Sequence, residues 1–154
     1  GAEVVKIEDT EAGDYARYVD PFLDGVGGMF SMVNRGKKSV TLDLKSDEGR
    51  EAFMRMAEDA DVVFEQFRPG VVERLGVGYE DVKERNPDVV YCSLSGYGAT
   101  GQRNDEPGHD LNYAGYSGLL DMTRGGDDEP TIPGYPVADM SAGLFAAFSI
   151  VSAL

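Results

Sequence analysis

The sequence has 154 residues, of which 42% are hydrophobic, and this length and composition suit one ordinary folded domain. Twenty-eight acidic and fourteen basic residues give a formal net charge of −14. This acidic excess argues against a nucleic acid as partner, because no basic patch is available to neutralise phosphates. The single cysteine, Cys92, excludes a disulfide within the chain, and we expect it to be a small buried hydrophobe.

The carboxylates are spread along the chain, as in proteins that stay soluble at high salt because the salt screens their self-repulsion. We therefore hypothesise that the protein is halophilic. Its melting temperature, followed by circular dichroism, is expected to be higher in molar salt than in low salt. Greater stability in low salt would contradict the hypothesis.

No apolar run approaches the roughly 20 residues that a membrane-spanning helix needs, and no secretory signal peptide is recognisable. Residues 142–154 are apolar, but a run of that length is typical of a buried helix. The expected location is therefore the cytoplasm, with no membrane partner. Both termini fall inside predicted elements, so we expect the chain to be part of a longer protein.

In chain order, strands alternate with helices. The strands are predicted at 4–8, 40–44, 61–67 and 89–94. The helices are predicted at 47–59, 71–75, 79–85, from 110 and from 138. Ser46 is the expected N-cap of the first helix, residues 9–33 are loop-like, and the last strand is apolar enough to be buried on both faces. This alternation predicts an α/β fold with a mainly parallel sheet.

Three features follow predicted strands directly, namely Lys45, Arg68 and the glycine-rich loop 95–101. Ligands of open parallel sheets bind beyond the carboxyl ends of the strands, so we expect these three features to lie together at that edge of the sheet, where a ligand would bind. Cations near them suit a phosphate-bearing ligand: Arg35, Lys37, Lys38, Lys45, Arg68 and Arg74. The sequence has no P-loop, no dinucleotide fingerprint and no Cys/His cluster for a metal.

The centre of the chain is the stretch 108–113, Gly-His-Asp-Leu-Asn-Tyr, which contains the only histidine. Histidine can both accept and donate a proton near neutral pH. Apolar residues at helical spacing follow, so Asp110 is predicted to be the N-cap of a helix, with His109 at its positive end. Asp139 is predicted to be the N-cap of the last helix.

Two chemistries are open for these residues. In the first, His109 and Asp139 face each other across a substrate, so that one removes a proton from carbon and the other returns it on the opposite face. In the second, Asp110 is a nucleophile that forms a mixed anhydride with an acyl group. Thirty residues separate His109 from Asp139, and sequence distance does not fix their distance in space.

Five further motifs resemble the class III CoA-transferase superfamily of the CaiB/BaiF type, and they occur in the order of that family. They are Asn-Arg-Gly-Lys-Lys-Ser at 34–39, Leu-Asp-Leu-Lys at 42–45, Phe-Arg-Pro-Gly-Val at 67–71, Glu-Arg-Leu-Gly at 73–76 and Ser-Gly-Tyr-Gly at 95–98. Within the superfamily, the stretch 108–113 is similar to the signature of α-methylacyl-CoA racemases. In that family, the histidine and an aspartate thirty residues later are the acid/base pair, which places these roles on His109 and Asp139.

The resemblance implies a Rossmann-like large domain in an interlocked homodimer, with residues 1–154 as its N-terminal part. The first strand and helix and the C-terminal portion would be missing. The substrate would be an acyl-CoA, with no cofactor beyond its CoA moiety. The residues implied to contact CoA are Leu42, Asp43, Leu44, Lys45, Gln66, Phe67, Arg68, Arg74, Gly108, Asn112 and Tyr113. One departure is Thr10, where racemases commonly have an arginine for which Arg17 would substitute.

The histidine favours the racemase branch, because CoA-transferases usually lack a histidine at this position. The expected function is then inversion of the α-carbon of 2-methyl-branched acyl-CoA thioesters, with Asp110 orienting His109. The alternative is a CoA-transferase that moves CoA to a free carboxylic acid through an acyl anhydride on Asp110. A third hypothesis is a protein that binds CoA without turnover.

Overall fold

The computed structural model describes all residues, 1–154, as two compact units, 1–56 and 57–154. None of its helices combines the length and the apolar character that crossing a membrane requires.

The first unit contains a parallel strand pair and several short elements between the two strands. In chain order these are β1 (Val5–Glu8), a 3-10 helix (Tyr15–Tyr18), β2 (Phe22–Leu23), β3 (Val26–Gly27), α1 (Gly28–Val33) and β4 (Lys38–Thr41). β1 and β4 pair from Val5 opposite Lys38 to Glu8 opposite Thr41, and β2 pairs with β3 in antiparallel fashion. β4 ends three residues earlier than predicted, so the predicted CoA-contact residues 42–45 follow it in a turn.

The prediction that residues 9–33 form a loop was wrong, because the glycines there permit close packing. A Cβ on Gly27 would lie 2.1 Å from the carbonyl oxygen of Ala16. The Gly28 N–H donates to the Pro21 carbonyl oxygen at 2.7 Å. These contacts stabilise elements of only two to six residues, which are too short to show a hydrophobic period in the sequence.

A buried carboxylate holds the first unit together. The Glu8 side chain is only 2% exposed, and Arg17 Nε and Nη2 donate to its two oxygens at 2.7 and 2.8 Å. The Ser39 hydroxyl and the Asp14 N–H donate to the same carboxylate at 2.7 and 3.0 Å. These bonds, that from Arg17 foremost, lower the pKa of Glu8 to about 2. The Arg17 guanidinium also stacks on the Phe30 ring, 3.9 Å from its centroid.

The helix α2 (Asp47–Ala57) begins where the sequence predicts and ends two residues early. The Gly49 N–H donates to Ser46 Oγ at 3.0 Å, which confirms Ser46 as the N-cap. A Cβ on Gly49 would lie 2.0 Å from the Asp43 carbonyl oxygen, so glycine is required where the turn meets the helix.

The second unit contains a second parallel pair with helices around it. Its elements are β5 (Val62–Glu65), α3 (Val71–Leu75), α4 (Tyr79–Arg85), β6 (Val90–Ser93), α5 (Asp110–Tyr116), α6 (Leu119–Met122) and α7 (Val137–Ala153). β5 and β6 pair in parallel, with Val62 opposite Val90, and α7 packs against both α5 and β6. The α/β class and the helices at 71–75 and 79–85 are therefore confirmed.

Each unit contains one parallel strand pair, β1 with β4 and β5 with β6. Two expectations about burial need correction. β6 was expected to be buried on both faces, yet three of its residues are half-buried and Ser93 is exposed. Cys92, expected to be buried, is half-buried, and desolvation raises the pKa of its thiol.

Candidate active site

The histidine is the N-cap of α5. His109 has extended backbone angles, φ −128° and ψ 176°, and Asp110 is the first residue of the helix. The His109 N–H donates to Asn112 Oδ1 at 2.9 Å, and this capping hydrogen bond fixes the first turn of α5. The prediction that Asp110 caps its own helix was wrong by one position. No hydrogen bond joins Asp110 to the His109 side chain, which is exposed.

Asp110 caps a different helix. Its Oδ1 accepts the backbone N–H of Ala138 at 2.6 Å and that of Asp139 at 3.0 Å. Both N–H groups belong to the first turn of α7, whose own N-cap, Pro136, has no side-chain acceptor. The prediction that Asp139 is the N-cap was therefore wrong, since Asp139 is the third residue of α7 and the cap comes from α5.

This bond brings the three predicted catalytic residues, His109, Asp110 and Asp139, into one place. The Asp139 backbone is bonded to Asp110, and His109 directly precedes Asp110. The side chains of His109 and Asp139 are exposed, whereas Asp110 is half-buried. The Asp139 carboxylate accepts no hydrogen bond, and Asp139 lies in the first turn of the 17-residue α7.

The glycine-rich loop after β6 packs on α5 through Tyr97, whose ring contacts both Tyr113 and Tyr116. The Tyr113 hydroxyl donates to the Gly108 carbonyl oxygen at 2.8 Å, and its ring meets Tyr97 edge-on with centroids 5.0 Å apart. A Cβ on Gly96 would lie 2.1 Å from the Tyr113 hydroxyl oxygen, and one on Gly108 would lie 2.7 Å from its ring. Both glycines thus make room for the ring that joins the loop to α5.

Gly96→Ala is expected to destabilise the protein by about 1–3 kcal/mol, because the Tyr113 ring must leave its bonded position. The midpoint of urea unfolding measures this effect. Gly115→Ala, in α5, is the matched control, since its added Cβ would meet only Leu120 at 3.7 Å. Equal midpoints for the two variants would contradict the steric role of Gly96.

The residues predicted to bind CoA lie in both units. Gln66, Phe67 and Arg68 directly follow β5 and are exposed, and Arg74 is exposed on α3. Arg68 and the loop 95–101 leave the carboxyl ends of neighbouring parallel strands, which confirms this part of the predicted edge. Lys45 lies in the turn after β4, in the first unit.

Two of the predicted phosphate-binding cations have partners in the first unit. Lys38 forms an exposed ion pair with Glu3 at 2.5 Å, and Lys37 donates to Asn34 Oδ1 at 3.1 Å. Racemases commonly have an arginine where this chain has Thr10, and Arg17 was expected to take its place. Arg17 instead forms an ion pair with Glu8. The substitution expected of Arg17 therefore has no support in its contacts.

Sequence reasoning placed Asp139 at the start of α7 but missed that the cap of this helix comes from Asp110. The available signal was Pro136, which cannot cap a helix with its side chain and so requires an acceptor from elsewhere. It also missed that Gly96 and Gly108 accommodate one tyrosine ring.

The family model described as "CoA-transferase family III" matches residues 1–154. The chain belongs to CoA-transferase family III. It is 40% identical over 163 residues to succinyl-CoA:mesaconate CoA-transferase of Haloarcula hispanica and 37% identical over 155 residues to succinyl-CoA:glutarate CoA-transferase of Mus musculus. These alignments cover 100% of this chain but 41% and 36% of the two relatives, so the chain spans about two fifths of their length.

Solved structures of the family agree with the fold. A CaiB/BaiF family protein from Brucella suis is 39% identical, with a TM-score of 0.93 over 99% of this chain and 42% of that protein. Rv3272 from Mycobacterium tuberculosis is 37% identical, with a TM-score of 0.89 over 99% of this chain and 43% of that protein. The resemblance to the class III superfamily is thus confirmed. The two curated relatives carry the names of CoA-transferases.

Proposed function

We propose that this member of CoA-transferase family III moves CoA from an acyl-CoA to a free carboxylic acid, with Asp139 as the nucleophile. The observation that carries the assignment is the contrast between two neighbouring carboxylates. Asp110 Oδ1 accepts two backbone N–H groups of α7, whereas the Asp139 carboxylate is exposed and accepts none. A carboxylate that accepts no hydrogen bond is free to turn towards a thioester, whereas the two N–H groups on Asp110 Oδ1 stabilise its negative charge and hold its side chain in place, which makes it the weaker nucleophile. The nucleophile therefore moves from Asp110, where the sequence placed it, to Asp139.

The chemistry needs only acyl transfers. An Asp139 oxygen attacks the acyl-CoA carbonyl carbon and the C–S bond breaks. CoA leaves as a thiolate, and the acyl group and Asp139 now form a mixed anhydride. The thiolate then attacks the Asp139 carbonyl carbon, forming an aspartyl thioester and releasing the donor acid with one oxygen from Asp139. The acceptor carboxylate attacks this thioester, and the returning thiolate takes the acceptor acyl group. Asp139 is regenerated with one oxygen from the acceptor.

Within the second unit, the CoA moiety is proposed to bind Gln66–Arg68, Arg74, Gly108, Asn112 and Tyr113. Exposed Arg68 and Arg74 support this proposal, because guanidinium groups bind phosphates through paired hydrogen bonds. The interlocked homodimer and the need for no cofactor beyond CoA remain proposals that rest on the resemblance. Succinyl-CoA is the proposed donor because it appears in the names of both curated relatives.

The racemase remains a second candidate, because α5 and α7 bring His109 and Asp139 to one site, as two-base inversion requires. It is distinguished by exchange of the α-proton of a 2-methylacyl-CoA in deuterated water without any added carboxylic acid. Exchange that His109→Ala abolishes would favour the racemase over the transferase.

Isotope transfer tests the proposed nucleophile. The protein is incubated with succinyl-CoA and glutarate labelled with oxygen-18 in its carboxylates, then digested with trypsin. Cleavage after Arg103 and Arg124 separates Asp110, in peptide 104–124, from Asp139, in peptide 125–154. Fragment-ion masses are expected to show the label on Asp139. Label on Asp110 would restore the earlier assignment, and CoA transfer without label on either residue would refute aspartyl catalysis.

A further inference from the structure

We propose that Asp110 is a positioning residue, which aims the Asp139 carboxylate by holding the first turn of α7. This inference rests on the proposed function of Asp139. It assigns Asp110 a role separate from nucleophilic attack and from orienting His109. The evidence is the pair of hydrogen bonds from α7 to Asp110 Oδ1, one of which comes from the backbone of Asp139 itself.

The start of α7 depends on Asp110 for its hydrogen bonds. The first N–H groups of a helix have no partner inside the helix, and Pro136 offers no side-chain acceptor. The intrahelical ladder begins only with the Met140 N–H, which donates to the Pro136 carbonyl oxygen at 3.0 Å. Ala138 and Asp139 therefore obtain their acceptor from Asp110, and without it the first turn is free to fray.

The other end of the link is fixed. Asp110 is the first residue of α5, and the helix start is closed by the bond from the His109 N–H to Asn112. The Tyr113 hydroxyl bonds the Gly108 carbonyl oxygen one turn further on. Since α5 also packs against α7, the Asp110 carboxylate joins two anchored helices at their starts.

Positioning matters for Asp139 because its own carboxylate has no hydrogen bond to direct it. Its direction is then set by its backbone, and the Asp139 N–H is held by Asp110 at 3.0 Å. A displacement of about 1 Å in a reacting group can lower a rate by about 10²-fold. Loss of the link should therefore reduce turnover and leave substrate affinity unchanged.

Two variants of Asp110 separate positioning from chemistry. Asp110→Asn keeps an oxygen acceptor at Oδ1 and is expected to retain kcat within about tenfold, whereas Asp110→Ala is expected to lower kcat by about 10²-fold at unchanged KM. Asp88→Ala, an exposed carboxylate before β6, is the control and is expected to keep wild-type kcat. Steady-state transfer from succinyl-CoA to glutarate gives both constants, below the melting temperature of each variant.

Amide hydrogen exchange, followed by NMR, supplies a readout that is independent of turnover. The Ala138 and Asp139 amides are expected to exchange faster in Asp110→Ala and at the wild-type rate in Asp110→Asn. Unchanged exchange in Asp110→Ala, or wild-type kcat in that variant, would overturn the inference. If Asp110→Ala does not fold, an Asp110→Asn protein as inactive as Asp139→Ala would overturn it instead. Wild-type transfer by Asp139→Ala would refute the proposed function rather than the positioning role.

Discussion

Asp139→Ala is expected to abolish CoA transfer, with kcat reduced by a factor on the order of 10⁴ or more. The reason is that no anhydride can form without the attacking oxygen, and the neighbouring Asp110 carboxylate is held by two backbone N–H groups. Loss of the carboxylate leaves the helix start intact, because Asp139 contributes its backbone N–H to the link and not its side chain. Chromatographic separation of succinyl-CoA and glutaryl-CoA measures the rate.

The control for this experiment is again Asp88→Ala, which also removes one exposed carboxylate. Both variants are expected to melt close to the wild-type temperature, so that a loss of rate in Asp139→Ala cannot be attributed to unfolding. A residual rate in Asp139→Ala close to that of Asp88→Ala would refute the assignment of the nucleophile.

Glu8→Gln is expected to lower the free energy of unfolding by about 3 kcal/mol, because it breaks a buried ion pair and leaves the Arg17 charge without its counter-ion. The glutamine side chain has nearly the same shape as the glutamate side chain that it replaces, so the packing around residue 8 is preserved. Urea unfolding followed by circular dichroism measures the change. Glu3→Gln is the matched control, since its pair with Lys38 is exposed and is expected to contribute at most about 1 kcal/mol. Equal losses in the two variants would contradict the role of burial.

The same carboxylate makes stability depend on pH. The pKa of Glu8 lies at about 2 in the folded protein, against an ordinary value of 4.5, mainly because Arg17 bonds its charged form. The unfolded chain therefore binds the proton first as the pH falls. The stabilisation is complete above about pH 4.5 and is lost progressively towards pH 2. Unfolding of Glu8→Gln measured across this range is expected to lack this part of the acid dependence.

The sequence was most informative where structure is determined locally. Ser46 caps α2 as predicted because the acceptor and the Gly49 N–H are three residues apart. α3 ends at Gly76, which has a left-handed backbone with φ 68°, and this stop signal was visible in the sequence. α4 was predictable from its spacing and from Pro87 after it. In each case the physical cause lies within a few residues of its effect.

Prediction failed where the cause is distant along the chain. The short elements in residues 9–33 depend on bonds from Arg17 and Asp14 to Glu8 and on glycine contacts that the sequence reports only as turn formers. The structure brings the three predicted site residues together, but the capping roles predicted for Asp110 and Asp139 were wrong. Asp110 accepts N–H groups 28 and 29 residues later, a separation at which no pattern of residue types identifies the partner.

The link from Asp110 to Ala138 also closes a loop of 28 residues, most of which is the α6 turn and the segment 124–136. The entropy of closing such a loop grows only with the logarithm of its length, at about 0.6 kcal/mol for each doubling. Insertions or deletions of a few residues in 124–136 should therefore change stability little. Such changes would leave the hydrogen bonds between the starts of α5 and α7 in place. Evolution can therefore vary the length and composition of segment 124–136 independently of the proposed active site beside it.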